Sequence, residues 1–345
     1  MAKTMRAAVF AEFGGPEVVE TRKVPVPEPA AGEVRVKVEA SSMNHLDLWV
    51  RRGLPIETPM PHIGGSDIVG VVEAVGPGAE SVPIGTRVVV DPSIGYEWYS
   101  GQDRGESFGA PPLRLIGEHT QGGFAEQAVV PAANLLELPK EYPAEQAAAA
   151  GLVFVTAWRA LIGRGCVQAG ERVLITGASG GVGTAAVQIA ARAGAKVYAV
   201  TSGPRKARMV QELGAEVVYD RTAVDFSREA WRDTGKRGVD LIFDTVGETV
   251  WPNCLRALAP GGRLVTSGAT TGSHGVTEIR LVFWKQLSIL GSTMGTPAEF
   301  RQVMRLVFAG TLRPVIHEVL PLAEARRAHE ILESGQVFGK LVIVP

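Results

Sequence analysis

Cysteine is scarce in this sequence, which contains Cys166 and Cys254 among 345 residues. Two isolated cysteines provide neither a disulfide framework nor the paired spacing of a thiolate metal site. We therefore predict that both are buried free thiols without a redox role.

The sequence also lacks an excess of either charge and any long apolar run. Its 35 Lys and Arg residues nearly balance 36 Asp and Glu residues, so no general basic field favours nucleic acid or an anionic membrane. No stretch approaches the roughly 20 apolar residues of a membrane span, and the first residues, Met1–Arg6, do not resemble a signal peptide. We therefore expect a cytoplasmic protein that acts on small molecules.

What the sequence does contain is the composition of a globular protein, with 46% apolar and 21% charged residues. A chain of 345 residues is long for a single core, so we expect two domains. The first 140 or so residues carry short valine-rich alternating runs broken by Gly and Pro, which is typical of a β-rich unit. The predicted strands are Met5–Phe10, Glu33–Ala40, Ile68–Val75, Arg87–Asp91 and Ala125–Val130.

The pattern then changes to apolar strands that alternate with amphipathic helices, which predicts a parallel, doubly wound sheet. The predicted strands are Arg172–Thr176, Lys196–Thr201, Glu216–Tyr219, Asp240–Thr245, Arg263–Ser267 and Ser288–Ser292. The apolar C-terminal run Gly339–Pro345 is expected to rejoin the first unit. We therefore assign residues 1–140 and 315–345 to the β-rich domain and residues 141–314 to the doubly wound domain.

A glycine-rich turn lies between the first strand of the doubly wound domain and the helix that follows it. Glycines at this point let the backbone approach a pyrophosphate, whose charge then lies at the helix N-terminus. The alternative is a glycine turn without a ligand, which the strand-turn-helix context disfavours. The predicted dinucleotide-binding residues are Gly177, Ala178, Ser179, Gly180, Gly181, Val182 and Gly183.

The end of the next strand, near residue 201, indicates which dinucleotide is bound. A carboxylate there would bind the ribose 2′-hydroxyl of NAD, and the sequence has none. It offers Ser202, Arg205 and Lys206 instead, which are groups that suit a 2′-phosphate. The alternative is that the two cations are solvated residues at a helix start. We predict NADPH as the cofactor.

Further short motifs are distributed along the whole chain, besides the glycine turn. They are Gly32-Glu33-Val34, Asn44-His45-Leu46-Asp47, the run from Gly70 to Gly76, the run from Gly122 to Glu126, Thr156-Ala157-Trp158, Asp244-Thr245-Val246-Gly247, Gly261-Gly262-Arg263 and Gly339-Lys340-Leu341-Val342. Together they resemble the motifs of the medium-chain dehydrogenase/reductase superfamily, in its zinc-independent quinone oxidoreductase-like branch. The resemblance implies an α/β protein with a GroES-like β-rich catalytic domain, a Rossmann doubly wound parallel-sheet domain and an active site in the cleft between them.

The resemblance also shows what is missing, because zinc-dependent members carry Cys, His and Glu ligands where this chain has Asn44, Ser66 with Asp67, and Leu152. One carboxylate is too few for tetrahedral zinc. The loop Pro92–Gly117, which carries four structural cysteines in many relatives, contains none. Three histidines are expected near the cleft, His45, His62 and His119, but their spacing is not that of a ligand motif. We therefore predict that no metal is bound.

Without a metal, hydrogen-bond donors have to stabilise the negative charge that develops on a substrate oxygen. Asn44 and Ser66 are the predicted donors, His45 is a candidate proton donor, and Asp47 is expected to be structural. The resemblance also assigns cofactor contacts. Those along the nicotinamide are Thr156, Gly268, Ala269 and Met294, and those near its ribose or the phosphates are Phe338 and Lys340. Thr245 is a further predicted cofactor-binding residue.

The expected function is an NADPH-dependent, zinc-free oxidoreductase that transfers hydride to a quinone or an α,β-unsaturated carbonyl. The alternatives are a zinc-free alcohol or aldehyde dehydrogenase-type reductase and a non-catalytic NADPH-binding protein. The apolar segment Leu287–Ser292 is expected to form the last strand of the Rossmann sheet, leaving an edge that can pair. We therefore expect a homodimer, as the resemblance also implies.

Overall fold

The computed structural model describes residues 3–96 and 113–345 and divides into two compact units. The strands are β1 Thr4–Val9, β2 Glu20–Pro25, β3 Glu33–Ser42, β4 Asp67–Val75, β5 Arg87–Val90, β6 Ser93–Ile94, β7 Arg114–Leu115, β8 Gln127–Pro131, β9 Leu135–Glu137, β10 Arg172–Ile175, β11 Lys196–Thr201, β12 Val217–Asp220, β13 Val239–Asp244, β14 Leu258–Thr266, β15 Ser288–Gly291, β16 Ile316–Pro321 and β17 Lys340–Val344. The helices are α1 His45–Arg52, α2 Ala144–Ala148, α3 Gly151–Trp158, α4 Gly181–Arg192, α5 Pro204–Glu212, α6 Phe226–Asp233, α7 Trp251–Ala257, α8 Ile279–Trp284, α9 Pro297–Phe308 and α10 Ala325–Glu333. None of these helices, within the residues described, has the length and apolar character needed to cross a membrane.

The first unit is built on a mainly antiparallel sheet of order β16-β17-β3-β4-β5-β9, in which β8 also pairs with β3. Along β3, Val34, Val36 and Val38 are buried while the residues between them are more exposed, as the alternating pattern predicts. The C-terminal strand β17 pairs with β3 through Val342 and Ile343. The predicted return of the C-terminal run to the first unit is therefore confirmed.

The second unit, whose residues are all described, contains a parallel sheet of order β12-β11-β10-β13-β14-β15. Its central strands are apolar and fully buried because helices cover both faces of such a sheet, as at Val173, Leu174 and Ile175 of β10. The connection from β10 through α4 to β11 is the first crossover of the doubly wound fold. The predicted fold class, a GroES-like unit with a Rossmann unit, is confirmed.

The boundaries between the units differ from those predicted. The first unit extends to Leu152 and resumes at Gly295, so the second comprises Val153–Met294 rather than residues 141–314. The alanine-rich helix α2 packs on β3 and β4, and the Tyr142 hydroxyl donates to the Val307 carbonyl of α9 at 3.3 Å. The sequence pattern becomes helical near residue 141, but the chain continues to pack against the first unit until Leu152, about a dozen residues later.

The two cysteines differ in exposure, which corrects the prediction that both are buried. Cys254 lies in α7 within the core of the second unit, and burial followed by the nearby Asp244 charge raises the pKa of its thiol. Cys166 is exposed. It follows a π-helical stretch and has a φ of 48°, at a surface connection that leads into β10. The apolar character of cysteine predicted burial, but Cys166 lies in a surface turn of the backbone and is exposed.

Candidate functional site

The glycine turn joins β10 to α4 in a tight conformation that larger residues cannot adopt. Gly177 has a φ of 58°, in the left-handed region that favours glycine. A Cβ on Gly183 would lie 2.2 Å from the Gly177 carbonyl oxygen, so the first turn of the helix can approach only because that residue has no side chain. The Ala178 N–H donates to the Val200 carbonyl of β11 at 3.1 Å, which ties the turn to the neighbouring strand.

The N-terminus of α4 has the properties of an anion site. The helix is 12 residues long, begins at Gly181 and has no acidic residue in its first turn. The first N–H groups of a helix lack acceptors within the helix and point at an incoming anion. The seven residues predicted from the glycine pattern therefore form the turn before α4 and the first three positions of the helix, at an end that suits a pyrophosphate.

Other predicted cofactor residues lie beside this turn, where parallel strands end at the same edge of the sheet. A Cβ on Gly177 would lie 2.9 Å from Thr245 Oγ1, and one on Gly268 would lie 2.7 Å from the Thr245 carbonyl oxygen. Ala269 is packed against Gly247, whose Cβ would lie 2.9 Å from the Ala269 Cα. The structure therefore brings together residues from the ends of β10, β13 and β14.

Asp244, at the end of β13, explains why the segment that follows has its shape. Its buried carboxylate accepts from the Thr176 hydroxyl at 2.5 Å and from the Val246 and Gly247 N–H groups at 3.1 and 3.0 Å. Burial raises the pKa of this carboxyl, against the effect of those donors. Asp244 is therefore a structural residue that fixes the edge on which Thr245 lies.

Thr156 and Met294, predicted to lie along the nicotinamide, are also neighbours. The Thr156 hydroxyl lies 3.8 Å from the Met294 sulfur, and both residues are buried. Met294 has a φ of 44°, which is uncommon for a residue with a side chain. The structure therefore pairs two residues that are 138 positions apart in the sequence.

The residues predicted to recognise a 2′-phosphate follow β11 directly. Ser202 and Lys206 are half-buried and Arg205 is exposed. Burial, then the neighbouring Arg221 and Arg205 charges, lowers the pKa of Lys206. An anion bound beside these cations would reduce their mutual repulsion and so stabilise the cluster. Arg221 belongs to this cluster and was not predicted from the sequence.

A carboxylate is also present at this loop, although β11 itself ends without one. Asp220, the last residue of β12, is paired in register with Thr201. It accepts hydrogen bonds from the Thr222 hydroxyl and N–H and from the Gly203 N–H, and these lower its pKa. The signal that could have revealed it is the order of the sheet, because neighbouring parallel strands end together.

In the first unit, three buried polar side chains from β4, β17 and the residue preceding α1 form one network. Lys340 Nζ lies 2.5 Å from Asn44 Oδ1 and 3.4 Å from Asp67 Oδ2. The Asn44 amide nitrogen donates to Asp67 Oδ2 at 2.9 Å. The side chains of Lys340 and Asp67 are 4% and 1% exposed, so the ion pair between them is shielded from solvent.

Asp67 is surrounded by donors. Besides Asn44 and Lys340, the Leu152 N–H donates to it at 2.6 Å and the Ser42 hydroxyl at 2.8 Å. A Cβ on Gly151 would lie 2.4 Å from its Oδ1, so glycine permits this close approach. Among residues 3–96 and 113–345, no group of three or more His, Cys, Asp or Glu side chains is arranged to hold a metal ion. Residues 97–112 of the cysteine-free loop predicted from the sequence lie outside the described residues.

Asp47 has the structural role expected of it. Its carboxylate accepts from the Asn44 N–H at 2.7 Å, forming the capping box of α1, and from the Gly65 N–H at 2.8 Å. Burial raises the pKa of Asp47 to about 6, against these two N–H donors and the Lys340 charge. The carboxyl therefore fixes the backbone on which Asn44 lies.

The remaining predicted residues of the first unit are placed as follows. Ser66 is buried, and its hydroxyl has no hydrogen-bond partner among the described residues. Phe338 is also buried, two positions before Lys340. His45 is exposed at the start of α1, yet the protein around it, followed by the Lys340 and Arg52 charges, lowers its pKa. The lowered pKa reduces the fraction of protonated imidazole at neutral pH, which weakens the case for His45 as a proton donor.

Glu118 is a buried titratable residue that the sequence reasoning did not single out. It lies in the turn after β7 and is 8% exposed, with Oε2 3.7 Å from His119 Nδ1. Burial, then the charge of Asp47, raises the pKa of Glu118 to about 7. No local sequence pattern distinguishes this glutamate from the exposed ones, because its burial comes from segments distant in the chain.

Two family models match the chain. The model described as the alcohol dehydrogenase GroES-like domain matches residues 30–140, and the model described as zinc-binding dehydrogenase matches residues 181–309. The first match lies in the first unit; the second begins at the start of α4, covers most of the second unit and extends into α9 of the first unit.

Relatives extend the similarity over almost the whole chain. Quinone oxidoreductase of Homo sapiens is 34% identical and covers 99% of this chain and 98% of its own length. A solved NAD-dependent alcohol dehydrogenase is 41% identical with a TM-score of 0.91, covering 99% of this chain and 100% of that one. A crotonyl-CoA carboxylase/reductase solved in complex with NADP is 28% identical with a TM-score of 0.88, covering 99% and 95%. The chain belongs to the medium-chain dehydrogenase/reductase superfamily of oxidoreductases.

Proposed function

We propose that this protein is an NADPH-dependent, zinc-free oxidoreductase that transfers hydride to a quinone or an α,β-unsaturated carbonyl. The observation that carries the proposal is the buried network of Asn44, Asp67 and Lys340, which provides hydrogen bonding and positive charge where zinc-dependent relatives carry metal ligands. Similarity to a quinone oxidoreductase and to a crotonyl-CoA carboxylase/reductase supports the substrate class.

The residues around the glycine turn fit a dinucleotide. Gly177 and Gly183 leave the space that a side chain would fill, and the N-terminus of α4 suits the pyrophosphate. Lys206, Arg205 and the newly found Arg221 form a cation cluster suited to a 2′-phosphate. When bound, the dihydronicotinamide supplies the hydride that is transferred.

The residues at the positions of the zinc ligands do not fit that metal. Tetrahedral zinc requires several thiolate, imidazole or carboxylate ligands, and Asn44, Ser66 and Leu152 supply none. The one carboxylate, Asp67, already accepts from two side-chain donors, a backbone N–H and the Lys340 ammonium. A cation placed beside it would have to displace these donors and approach a buried ammonium.

The poor fit of Asn44, Ser66 and Leu152 to zinc favours conjugated substrates. Hydride addition to the carbonyl carbon of an aldehyde concentrates negative charge on one oxygen, which zinc enzymes stabilise with their metal. Addition to the β-carbon of an enone gives an enolate, and addition to a quinone gives a phenolate, in which the charge is delocalised. Hydrogen bonds from Asn44 and from the unpartnered Ser66 hydroxyl can then suffice. Solvent or His45 returns the proton that completes the reaction, and the lowered pKa of His45 favours solvent.

The experiment is reduction of an enone with NADPH, with the product analysed as saturated ketone or allylic alcohol. The proposal predicts saturated ketone and an activity loss of about 100-fold or more in Asn44→Ala, comparable to removal of an oxyanion donor elsewhere. Allylic alcohol as the main product would contradict 1,4-addition, and full activity in Asn44→Ala would remove that residue from the mechanism. Steady turnover would also dismiss a non-catalytic NADPH-binding role.

The second candidate is a zinc-free alcohol or aldehyde dehydrogenase-type reductase, which the similarity to an NAD-dependent alcohol dehydrogenase favours. It shares the glycine turn and differs in the atom that accepts hydride. Asp220, a charged carboxylate beside the loop that would bind the 2′-phosphate, is the feature of this chain most compatible with NADH. A panel of aldehydes and enones with both cofactors separates the two candidates.

We also propose that the protein is a homodimer formed through β15. This strand lies at the end of the parallel sheet, so one side of its backbone has no neighbouring strand within the second unit. Phe283, Trp284 and Ile289 are 61%, 83% and 39% exposed and give this edge an apolar surface. Antiparallel pairing with the same edge of a second copy would continue the sheet. A monomeric mass in light scattering at micromolar concentration would contradict the proposal.

A further inference from the structure

The Lys340 amino group lies in the interior of the first unit, where burial lowers its pKa while the Asp67 and Asp47 charges favour the ammonium form. It belongs to the first residue of β17, where Gly339 has a φ of 85° and a Cβ on it would lie 2.2 Å from the Val315 carbonyl oxygen. The Lys340 N–H donates to that same carbonyl at 2.9 Å. The backbone at the start of β17 is therefore fixed, and it delivers the lysine side chain to Asn44 and Asp67.

This arrangement allows the Asn44 amide a single orientation. An ammonium can only donate and a carboxylate can only accept, so the amide oxygen faces Lys340 and the amide nitrogen faces Asp67. One hydrogen of the nitrogen is committed to Asp67 at 2.9 Å. The nitrogen also donates to the Ser42 carbonyl, but at 3.5 Å this hydrogen bond is long and weak, so a substrate oxygen can replace it.

We propose that Lys340 is a positioning residue that orients and polarises the Asn44 amide for hydrogen bonding to the substrate carbonyl oxygen. An amide whose oxygen accepts from an ammonium donates more strongly through its nitrogen, because hydrogen bonds in a chain polarise one another. The role assigned to Lys340 is thus different from the cofactor contact that the sequence suggested. The inference rests on the proposed function, in which Asn44 meets the substrate.

A double-mutant cycle tests whether Lys340 acts through Asn44. The variants are Lys340→Met, Asn44→Ala and the combination of both, assayed for enone reduction with NADPH. Lys340→Met is expected to lower kcat by about 10- to 100-fold while the Kd for NADPH stays within about twofold. The double variant is expected to be no slower than Asn44→Ala, because the lysine has no amide left to orient. Lys340→Gln, which keeps a neutral donor, should fall between Lys340→Met and the wild type.

Three outcomes would overturn the proposal. If the losses of the two single variants multiply in the double variant, Lys340 acts independently of Asn44. If Lys340→Met mainly raises the Kd for NADPH, the lysine contacts the cofactor instead. The same cycle measured as free energies of unfolding in urea tests whether Lys340 and Asn44 interact. Additive losses of stability would show that they do not. A wild type that reduces neither enones nor quinones would instead refute the proposed function, and the unfolding cycle would still decide whether the two side chains are coupled.

Discussion

Glu118 gives a prediction about stability that does not depend on activity. Burial and the neighbouring Asp47 charge raise its pKa from 4.5 to about 7, which means that the folded state favours the protonated carboxyl. The group therefore contributes most to stability below pH 4.5, and the contribution is lost as the pH rises towards 7 and above. The rise from 4.5 to about 7 corresponds to about 3 kcal/mol of unfolding free energy.

The variant Glu118→Gln keeps the shape of the side chain and removes its ionisation. At pH 8 it should be more stable than the wild type by about 2 to 3 kcal/mol, and at pH 4.5 the two should be nearly equal. Urea unfolding at both pH values, followed by tryptophan fluorescence, measures the difference. The exposed Glu12→Gln serves as the matched control and should change stability little at either pH. The reasoning is refuted if Glu118→Gln is equally stable or less stable than the wild type at pH 8.

Three further predictions concern the cofactor and the metal. Replacing Arg205 and Lys206 together with Ala should raise the Kd for NADPH at least 10-fold and the Kd for NADH less than threefold, because NADPH alone carries the extra phosphate; equal losses in fluorescence titrations would contradict the assignment. Asp220→Asn removes a negative charge beside the same loop and should tighten NADPH binding severalfold without tightening NADH, whereas an unchanged ratio of the two Kd values would show that this carboxylate does not discriminate. Dialysis against a strong chelator should leave activity intact, and about one zinc per chain in metal analysis, with activity lost on its removal, would overturn the ligand argument.

Most of the fold could be predicted from the sequence because the two patterns used, hydrophobic periodicity and glycine spacing, depend on residues that are close together in the chain. Alternating burial along β3 appears directly as alternating valines, and the glycine turn is recognisable because Gly177 and Gly183 are required by a backbone approach within seven residues. The unit boundary was harder to predict, since α2 has a helical pattern that does not reveal on which sheet the helix packs.

The candidate site was predicted less completely, because its key contacts join distant parts of the chain. Lys340 lies 296 positions from Asn44 and 273 from Asp67, and no local pattern records that the three meet. Asp220 and Glu118 were missed for the same reason, since strand order and burial by remote segments decide their surroundings. Residue types at matched positions identified Asn44, whereas its partners required the structure.

The position of β17 has a consequence for the order in which the chain can acquire its structure during synthesis. The second unit, Val153–Met294, is complete on the nascent chain before β17 is made. The sheet of the first unit cannot be complete at that stage, because β17 lies between β16 and β3. Contacts between residues so far apart in sequence form late. The edge of β3 at Ser41 and Ser42 therefore stays unpaired until β17 has been synthesised. Asn44 therefore acquires Lys340 as its partner only when the last strand docks. A ribosome-bound chain whose second unit is already folded still has an incomplete first unit.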